Sequence, residues 1–354
     1  MTSGSHPQLL EDHVADGMVA RRGLVAFPHH WQVPAATEKA AFAAMSVRGE
    51  AGDFVYVGFP WATVIDGLRN DAPQTWDLLR NLAALRARLE GEGRRRATVA
   101  QHINADKFVD LFKALGVTDL FWSHARVGQA EIDGIALHPF PLFPAQTPDG
   151  REAGDPHRAR RYVANFIGAY NPRVYLTDVR EQIFADRDAA PDLLIVRREA
   201  WHFDRAVYSE QMKGVPADAA RLRLEAAHKA EYLQAMRDSL FTLCPSGSGP
   251  NSIRIYEALA VGSIPIILTR ELGLAGDPAL WERTCLIAED SVRGYRDALA
   301  RARAMSVAEV RDRQRALAAL FAMVGPQGYG DLIADAMADG APAGRASMAS
   351  REKG

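Results

Sequence analysis

The stretch DSLFTLCPSGSGPNSIRIYEALAVGSIPIIL, residues 238–268, holds the repeating unit of the fold in one piece. LFTLCP is an apolar run closing on Cys244 and Pro245, SIRIYEALAVG is a helix-length segment stopping at Gly262, and SIPIIL is a second apolar run. Continuous apolar strands alternating with helices predict parallel strands covered on both faces. The same alternation runs outward in both directions. Upstream, GLVAFPHH, DFVYVGFP, ATVAQH, TDLFWSH and GIALHPFPL each read as a short strand ending on polar residues. TWDLLRNLAALRARLEG (75–91) and ADKFVDLFKALG (105–116) read as helices between them, the second starting near Asn104 and stopping at Gly116.

From Phe143 to Arg161 the chain turns rich in Pro, Gly and charge, which places a domain boundary there. The alternation then resumes with RYVANFIG as a strand, VYLTDVREQIFADR as a helix, DLLIVRR as a strand and a long charged helix over 218–239. CLIAED reads as a last strand, and helices over Val292–Met305 and Val307–Val324 close the ordered part. The expected organisation is α/β: a Rossmann-like domain over 1–150, a second over 151–330, and a disordered tail over 339–354.

At 354 residues the chain is long enough for two such domains. Its net charge of −2 supplies no positive field to hold nucleic acid or an anionic membrane. The longest apolar run, Ala258 to Leu268, is broken by Gly262 and Pro265 and is too short for a bilayer. The N-terminus carries acids where a signal peptide needs a basic start. Two cysteines, Cys244 and Cys285, give neither a disulfide framework nor a four-ligand zinc site. A cytoplasmic α/β enzyme is the expectation, and the sequence is silent on oligomeric state.

In open parallel sheets, ligands bind beyond the carboxyl ends of the strands. His29, His30, His102, His124 and His138 all stand at expected strand ends, which suggests a ligand-facing edge. The competing reading is that strand ends are where polar residues go once an apolar run stops. Phe59, Trp61, Trp122 and Trp201 lie beside these ends and either stack on a ring of the ligand or pack in the core. HRARR (157–161) either meets an anionic partner, such as a phospholipid headgroup at a membrane surface, or is a solvated linker.

After Cys244 the chain passes through Ser246, Gly247, Ser248, Gly249, Pro250, Asn251 and Ser252 into a helix carrying Arg254 and Glu257. A strand, a Gly-rich turn and a helix N-terminus favour phosphate, because glycines let the backbone N–H groups come close. It is neither a P-loop, since no GKS or GKT follows, nor the dinucleotide fingerprint GxGxxG. Arg254 and Glu257 are spaced i,i+3, as in a surface ion pair or as in a diphosphate clamp beside a ribose acceptor.

The block 238–268 resembles the C-terminal signature of exostosin-like glycosyltransferases, while QHI and DLFWSH in the first half resemble bacterial sugar-transferase relatives and suggest a bacterial-type member. The matching positions of the block are Cys244, Pro245, Gly247, Ser252, Arg254, Glu257, Gly262, Ile264 and Pro265. RRYVANFIGAY with Arg180 resembles the strand and arginine helix that open the donor domain of that family. Ser246 stands where the family's loop carries a basic residue, and Ile253 where it has the first of two helix arginines.

The resemblance implies a GT-B architecture, with two Rossmann-like domains facing a cleft and a UDP- or GDP-type nucleotide-sugar held by the second. It implies transfer to a glycan, a lipid-linked glycan or another hydroxyl acceptor, as in surface polysaccharide synthesis, with inversion and without a bound metal. Arg180 and Arg254 would stabilise the leaving phosphate and Glu257 would position the ribose. The base is expected among His102, His124 and His30, with Asp106 nearby and His102 first, because it ends a central strand and precedes a helix. A nucleotide-sugar epimerase or hydrolase, and a catalytically silent nucleotide- or glycan-binding subunit, are the competing functions.

Overall fold

The computed structural model describes residues 17–49, 53–148, 159–188, 190–199 and 219–340. The acid-rich start, the centre of the 143–161 boundary with the first two residues of HRARR, Trp201 and the tail beyond 340 lie outside the described residues.

In the first unit, β1 (Val19–Arg21) and β2 (Leu24–Ala26) form a hairpin, followed by α1 (Thr37–Arg48), β3 (Phe54–Gly58), α2 (Trp61–Arg69), α3 (Thr75–Arg88) and β4 (Arg95–Ala100). A 3-10 turn at Ala105–Phe108 leads into α4 (Val109–Ala114), β5 (Asp119–Trp122), β6 (Glu131–Ile132) and β7 (Ile135–Pro139). The second unit begins with β8 (Tyr162–Gly168), α5 (Val179–Ala185), β9 (Leu193–Arg197), α6 (Ala219–Arg237) and β10 (Ser239–Pro245). It continues through α7 (Ile253–Val261), β11 (Ile264–Leu268), α8 (Pro278–Thr284), β12 (Leu286–Ala288), α9 (Val292–Ala304) and α10 (Val307–Val324). The last described element is α11 (Tyr329–Ala338).

The strands form two sheets, ordered β1-β2-β3-β4-β5-β7-β6 and β12-β11-β10-β8-β9. The second is parallel throughout, and the first is parallel from β2 to β7 with an antiparallel hairpin at each edge. Strand residues alternate between faces, so each sheet buries both. Val55 and Val57 pack with α2, α3 and α4, whereas Phe54 and Tyr56 pack with α1 and α11. Phe166 packs toward α5 and α9, and Ile167 toward Tyr232 and Met236 of α6. The architecture is GT-B-like, with two Rossmann-like α/β units facing a cleft.

Three expectations about elements need correction. The expected helix over VYLTDVREQIFADR is helical only from Val179, because Tyr175 and Leu176 are drawn out to meet Arg180 and the Gly-rich turn. The chain does not end its order at Val324. It forms α11, whose Tyr329, Ile333 and Met337 return to the first unit and pack with Ala41, Met45 and Phe140. The two units thus share more than the cleft.

His138 is the third correction. It lies inside β7 opposite Phe121, and its Nε2 sits 2.9 Å from Asp119 Oδ1 at the start of β5. Arg95 Nε also donates to Asp119, at 3.0 Å. His138 therefore belongs to a buried charge cluster at the amino end of the sheet, not to the ligand edge.

Candidate functional site

Register explains why two histidines leave the same sheet edge, of which His124 lines the cleft cavity. Ala100 at the end of β4 pairs with Trp122 at the end of β5, so His102 and His124 leave the same sheet edge two residues later. Both are buried, yet their surroundings differ. His102 Nε2 lies 3.1 Å from Asp66 Oδ1 of α2, and its Nδ1 accepts the Asn104 N–H at 3.1 Å. Both ring nitrogens are thus occupied. Burial would raise the Asp66 carboxyl, but hydrogen bonds from His102 and Gln32, with the charge of Arg69, outweigh it and hold it below its usual range.

His124 Nδ1 has no partner although the atom is buried. Burial pushes the His124 imidazole down to about 3, with the charges of His102 and Arg126 adding to the effect. It is therefore neutral at pH 7, with a lone pair available. A Cβ placed on Gly249 would stand 2.6 Å from His124 Nδ1, so only glycine lets the second unit's turn come this close. His30 stands apart. Its backbone has φ 59°, its carbonyl accepts the Thr63 hydroxyl at 2.6 Å, and its exposed ring does not line the cleft cavity.

That cavity, of about 210 Å³, is shared by both units. Ile103, Asn104, Asp106, Lys107, Trp122, His124 and Arg126 line one side, and Leu176, Ser248, Gly249 and Pro250 the other. Phe59 and Trp61 are fully buried, and Trp61 Nε1 donates to the Thr98 hydroxyl at 2.8 Å, so packing describes them. Trp122 is buried and also borders the cavity. A larger cavity of about 300 Å³ opens at the amino end of the first sheet among Arg21, Arg22, Arg88 and Arg94. Arg94 there is engaged by Glu92, and the place is far from the carboxyl edges.

The turn of the second unit is braced from both sides. Gly247 N–H donates to Gly249 O at 3.0 Å, and Gly247 O accepts the Leu176 N–H at 3.1 Å. Asn251 Nδ2 crosses the cleft to Ser123 O at 2.6 Å, while its Oδ1 accepts the Ser252 N–H at 2.8 Å. Ser252 then opens α7 in an extended conformation. A short antiparallel bridge joins Arg126 to Leu272, with Val127 N–H to Glu271 O at 2.9 Å and Gly273 N–H to Ala125 O at 2.8 Å. An Arg126–Glu271 ion pair lies over it.

Arg254 and Arg180 converge on Gly168 at the end of β8. A Cβ there would sit 3.1 Å from Arg254 Nη2 and 3.5 Å from Arg180 Nη1. Both guanidiniums are buried, and neither forms an ion pair among the described residues. Arg254 Nη2 donates to Ile167 O at 2.7 Å, and its Nε is buried without a partner. Arg180 donates to Ser246 O at 2.9 and 3.2 Å and to Ala169 O at 3.2 Å. The Phe166 ring lies beneath both, and the Tyr175 ring 4.0 Å from Arg180. Burial and the charge of Arg254 bring Arg180 down to about 10. Two like charges held together out of water, on neutral partners, form a site that gains most from a multiply charged anion.

Glu257, expected beside the ribose, is only 1% exposed. Its Oε1 accepts the Gln146 N–H and its Oε2 the Tyr232 hydroxyl, both at 2.8 Å. Burial pushes its carboxyl up to about 7. Two acids escape a reading of sequence alone: Asp66, hidden in a helix with no motif, and Asp290, whose position just after the strand CLIA was the available signal. Among the described residues no group of three or more His, Cys, Asp or Glu is placed to hold a metal ion. No described helix is long and apolar enough to cross a membrane.

The exostosin GT47 domain family matches this chain over residues 98–290, from the end of β4 through β12 and both sides of the cleft. A probable glucuronosyltransferase of Oryza sativa subsp. japonica is 36% identical over 93 residues, which is 26% of this chain and 21% of that protein. Ribitol-5-phosphate xylosyltransferase 1 of Danio rerio is 29% identical over 111 residues, 30% of this chain and 20% of that one. The chain thus spans about a fifth of the length of these curated relatives. Among solved structures, alpha,alpha-trehalose 6-phosphate synthase from Burkholderia multivorans is similar at 13% identity and a TM-score of 0.43, over 86% of this chain and 75% of that one.

Proposed function

The chain belongs to the exostosin GT47 domain family, and from that premise we propose that it transfers a sugar from a UDP- or GDP-type nucleotide-sugar to a hydroxyl of a glycan or lipid-linked glycan. The observation that carries the reading is the pair Arg180 and Arg254, buried side by side without a carboxylate partner among the described residues, at the carboxyl edge of a parallel sheet. A donor diphosphate supplies the missing negative charge. The Gly247–Ser252 turn and the N-terminus of α7 add backbone donors on the same side.

His124 faces this edge across the cleft and is the base, its imidazole lifted from its low value by the negative charge of the diphosphate once the donor is bound. The acceptor oxygen attacks the anomeric carbon, its proton passes to His124 Nδ1, and the bond from that carbon to the phosphate oxygen breaks. The nucleoside diphosphate leaves with its new charge on Arg180 and Arg254. Attack from the side opposite the leaving group inverts the anomeric centre. The guanidiniums neutralise the negative charge that develops on the leaving diphosphate, so the mechanism calls for no metal. Glu38, Asp66 and His102 hold the acceptor side in shape through the chain Glu38–Gln101–Gln32–Asp66–His102. Lys107 and Asp106 border the path by which an acceptor enters.

The test is calorimetric titration with UDP, GDP and their sugar conjugates. Wild-type protein should bind one nucleoside diphosphate, and Arg254→Ala should weaken it by about 100-fold, the loss typical of one charged contact to a phosphate. Binding that persists in both Arg180→Ala and Arg254→Ala contradicts the reading.

A further inference from the structure

The larger cavity, of about 300 Å³, lies at the amino end of the first sheet, the end opposite the cleft. Two short runs of sequence build it. VARRGLVA folds into the β1–β2 hairpin, and Gly23, at φ 77°, makes the tight turn that sets Arg21 and Arg22 at its tip. RARLEGEGR, where α3 ends and the chain turns toward β4, brings Arg88, Glu90, Glu92 and Arg94 against that tip. Four guanidiniums thus meet two carboxylates, a local positive excess on a chain whose net charge is −2.

Two of the arginines are held in place by the protein. Arg94 forks onto Glu92, with Nε at 2.9 Å and Nη2 at 2.6 Å, and so holds the Glu92 carboxyl down to about 2. A fork uses two of the five guanidinium N–H groups and leaves the others for a ligand. Arg21 donates to the Ser46 carbonyl of α1. Arg88 is exposed, and among the described residues neither its guanidinium nor the Glu90 carboxyl has a partner. Val25, Val55 and Leu89, buried in the core of the first unit, give the cavity an apolar floor.

Cations alone suit any anion. Cations beside an apolar floor and an unpaired carboxylate suit a sugar that carries a negative group. The guanidiniums take the acid, Glu90 accepts hydroxyl groups, and the C–H face of the ring covers the valines. β3 has five residues, so cavity and cleft stand roughly 17 Å apart, and the cavity is no part of the reaction site. We propose that it is a second saccharide site, which holds an acidic unit of a glycan, one bearing a carboxylate or a phosphate. That this glycan is the acceptor, anchored away from its reacting end, rests on the transferase reading above.

Calorimetric titration in about 0.15 M salt, where distant charges are screened, tests the site. Tetragalacturonate and glucose 6-phosphate distinguish a carboxylate from a phosphate. Maltotetraose supplies sugar without charge, and tetraglutamate supplies charge without sugar. Wild-type protein should bind one of the two acidic sugars at least about tenfold more tightly than either control, the worth of one hydrogen bond to a charged group. Arg88→Ala should weaken that binding by about tenfold and Arg88→Glu by about 100-fold, with the melting temperature unchanged because the side chain is exposed and unpartnered. Arg293→Ala, at an exposed arginine of the second unit, should leave it unaltered. Equal binding of tetraglutamate, or binding of an acidic sugar that survives in Arg88→Glu, overturns the proposal. So does capture by phosphatidylglycerol vesicles with no binding of either acidic sugar. UDP and GDP titrated into the same samples keep the two readings apart. If a nucleotide binds and neither acidic sugar does, this proposal falls alone; if an acidic sugar binds through Arg88 and no nucleotide does, the transferase reading falls alone.

Discussion

At the carboxyl edge of the first sheet, Glu38, Gln101, Gln32, Asp66 and His102 bond to one another and to nearby backbone. At the carboxyl edge of the second, Arg254 Nε and Asp290 Oδ1 are shut from water without partners, and two guanidiniums face each other. Both edges are polar and buried, so burial does not tell them apart. Satisfaction does. A polar network whose members all have partners stabilises one conformation, whereas a buried group without one is costly until a ligand supplies what is missing. His124 is the member of the first edge that follows the rule of the second, and it is the histidine nearest the Gly-rich turn.

The contrast is greatest at the unpartnered histidine of the first edge, where effects should be largest. His124→Ala should lower kcat by about 10²–10⁴-fold with donor KM almost unchanged, as expected for loss of a general base. The matching His102→Ala should instead lower the melting temperature, because it strands Asp66 and the Asn104 N–H. Equal losses of kcat with equal melting would erase the distinction between the two histidines. Gly249→Ala comes next. Its new Cβ would run into the His124 ring, so steady-state kinetics should show kcat reduced by about tenfold or more, while melting shifts little.

Buried acids on both edges and His124 also differ in how they titrate. Burial pushes Glu38 up to about 8 and Glu257 up to about 7, each from 4.5. A carboxyl raised on folding favours the folded state fully below pH 4.5, and that contribution is lost as pH rises through its folded value. His124 is lowered from 6.5 to about 3, so its contribution is present above pH 6.5 and lost as pH falls toward 3. Melting temperature should therefore decline from pH 5 to pH 8.5, and Glu38→Gln should flatten that decline. An unchanged slope in both Glu38→Gln and Glu257→Gln would contradict the assignment. The smallest effect is expected at the bridge between units. The Arg126–Glu271 pair is exposed, and Arg126→Ala should cost no more than about 1 kcal/mol in denaturant unfolding.

Legibility in the sequence followed the length of the apolar run. β10, α7 and β11 were readable because each is continuous and ends on Pro245, Gly262 or a following turn, and the same held for β3, β4 and β5. α11 was not, since YGDLIADAMA follows a Gly-Pro break and finds its partner, α1, nearly three hundred residues earlier. At the site, residue types on the Gly-rich turn were visible, but which oxygens were already taken was not. Glu257 and Asp290 look alike as letters. Only the positions of Tyr232, Gln146 and Ser246 show that the first carboxyl has both oxygens bonded and the second only one. His138 shows the same limit in reverse, because a strand that ends on Pro139 still points its histidine back toward Asp119.

If Arg180 and Arg254 hold a nucleoside diphosphate, its binding should depend on both. Thermal unfolding with UDP, GDP, uridine and guanosine, on wild-type protein and on Arg180→Ala and Arg254→Ala, tests it most directly. One diphosphate should raise the wild-type melting temperature, its nucleoside should do so far less, and both variants should lose the effect. A melting shift that survives in both variants, or that the bare nucleoside reproduces in full, would contradict it.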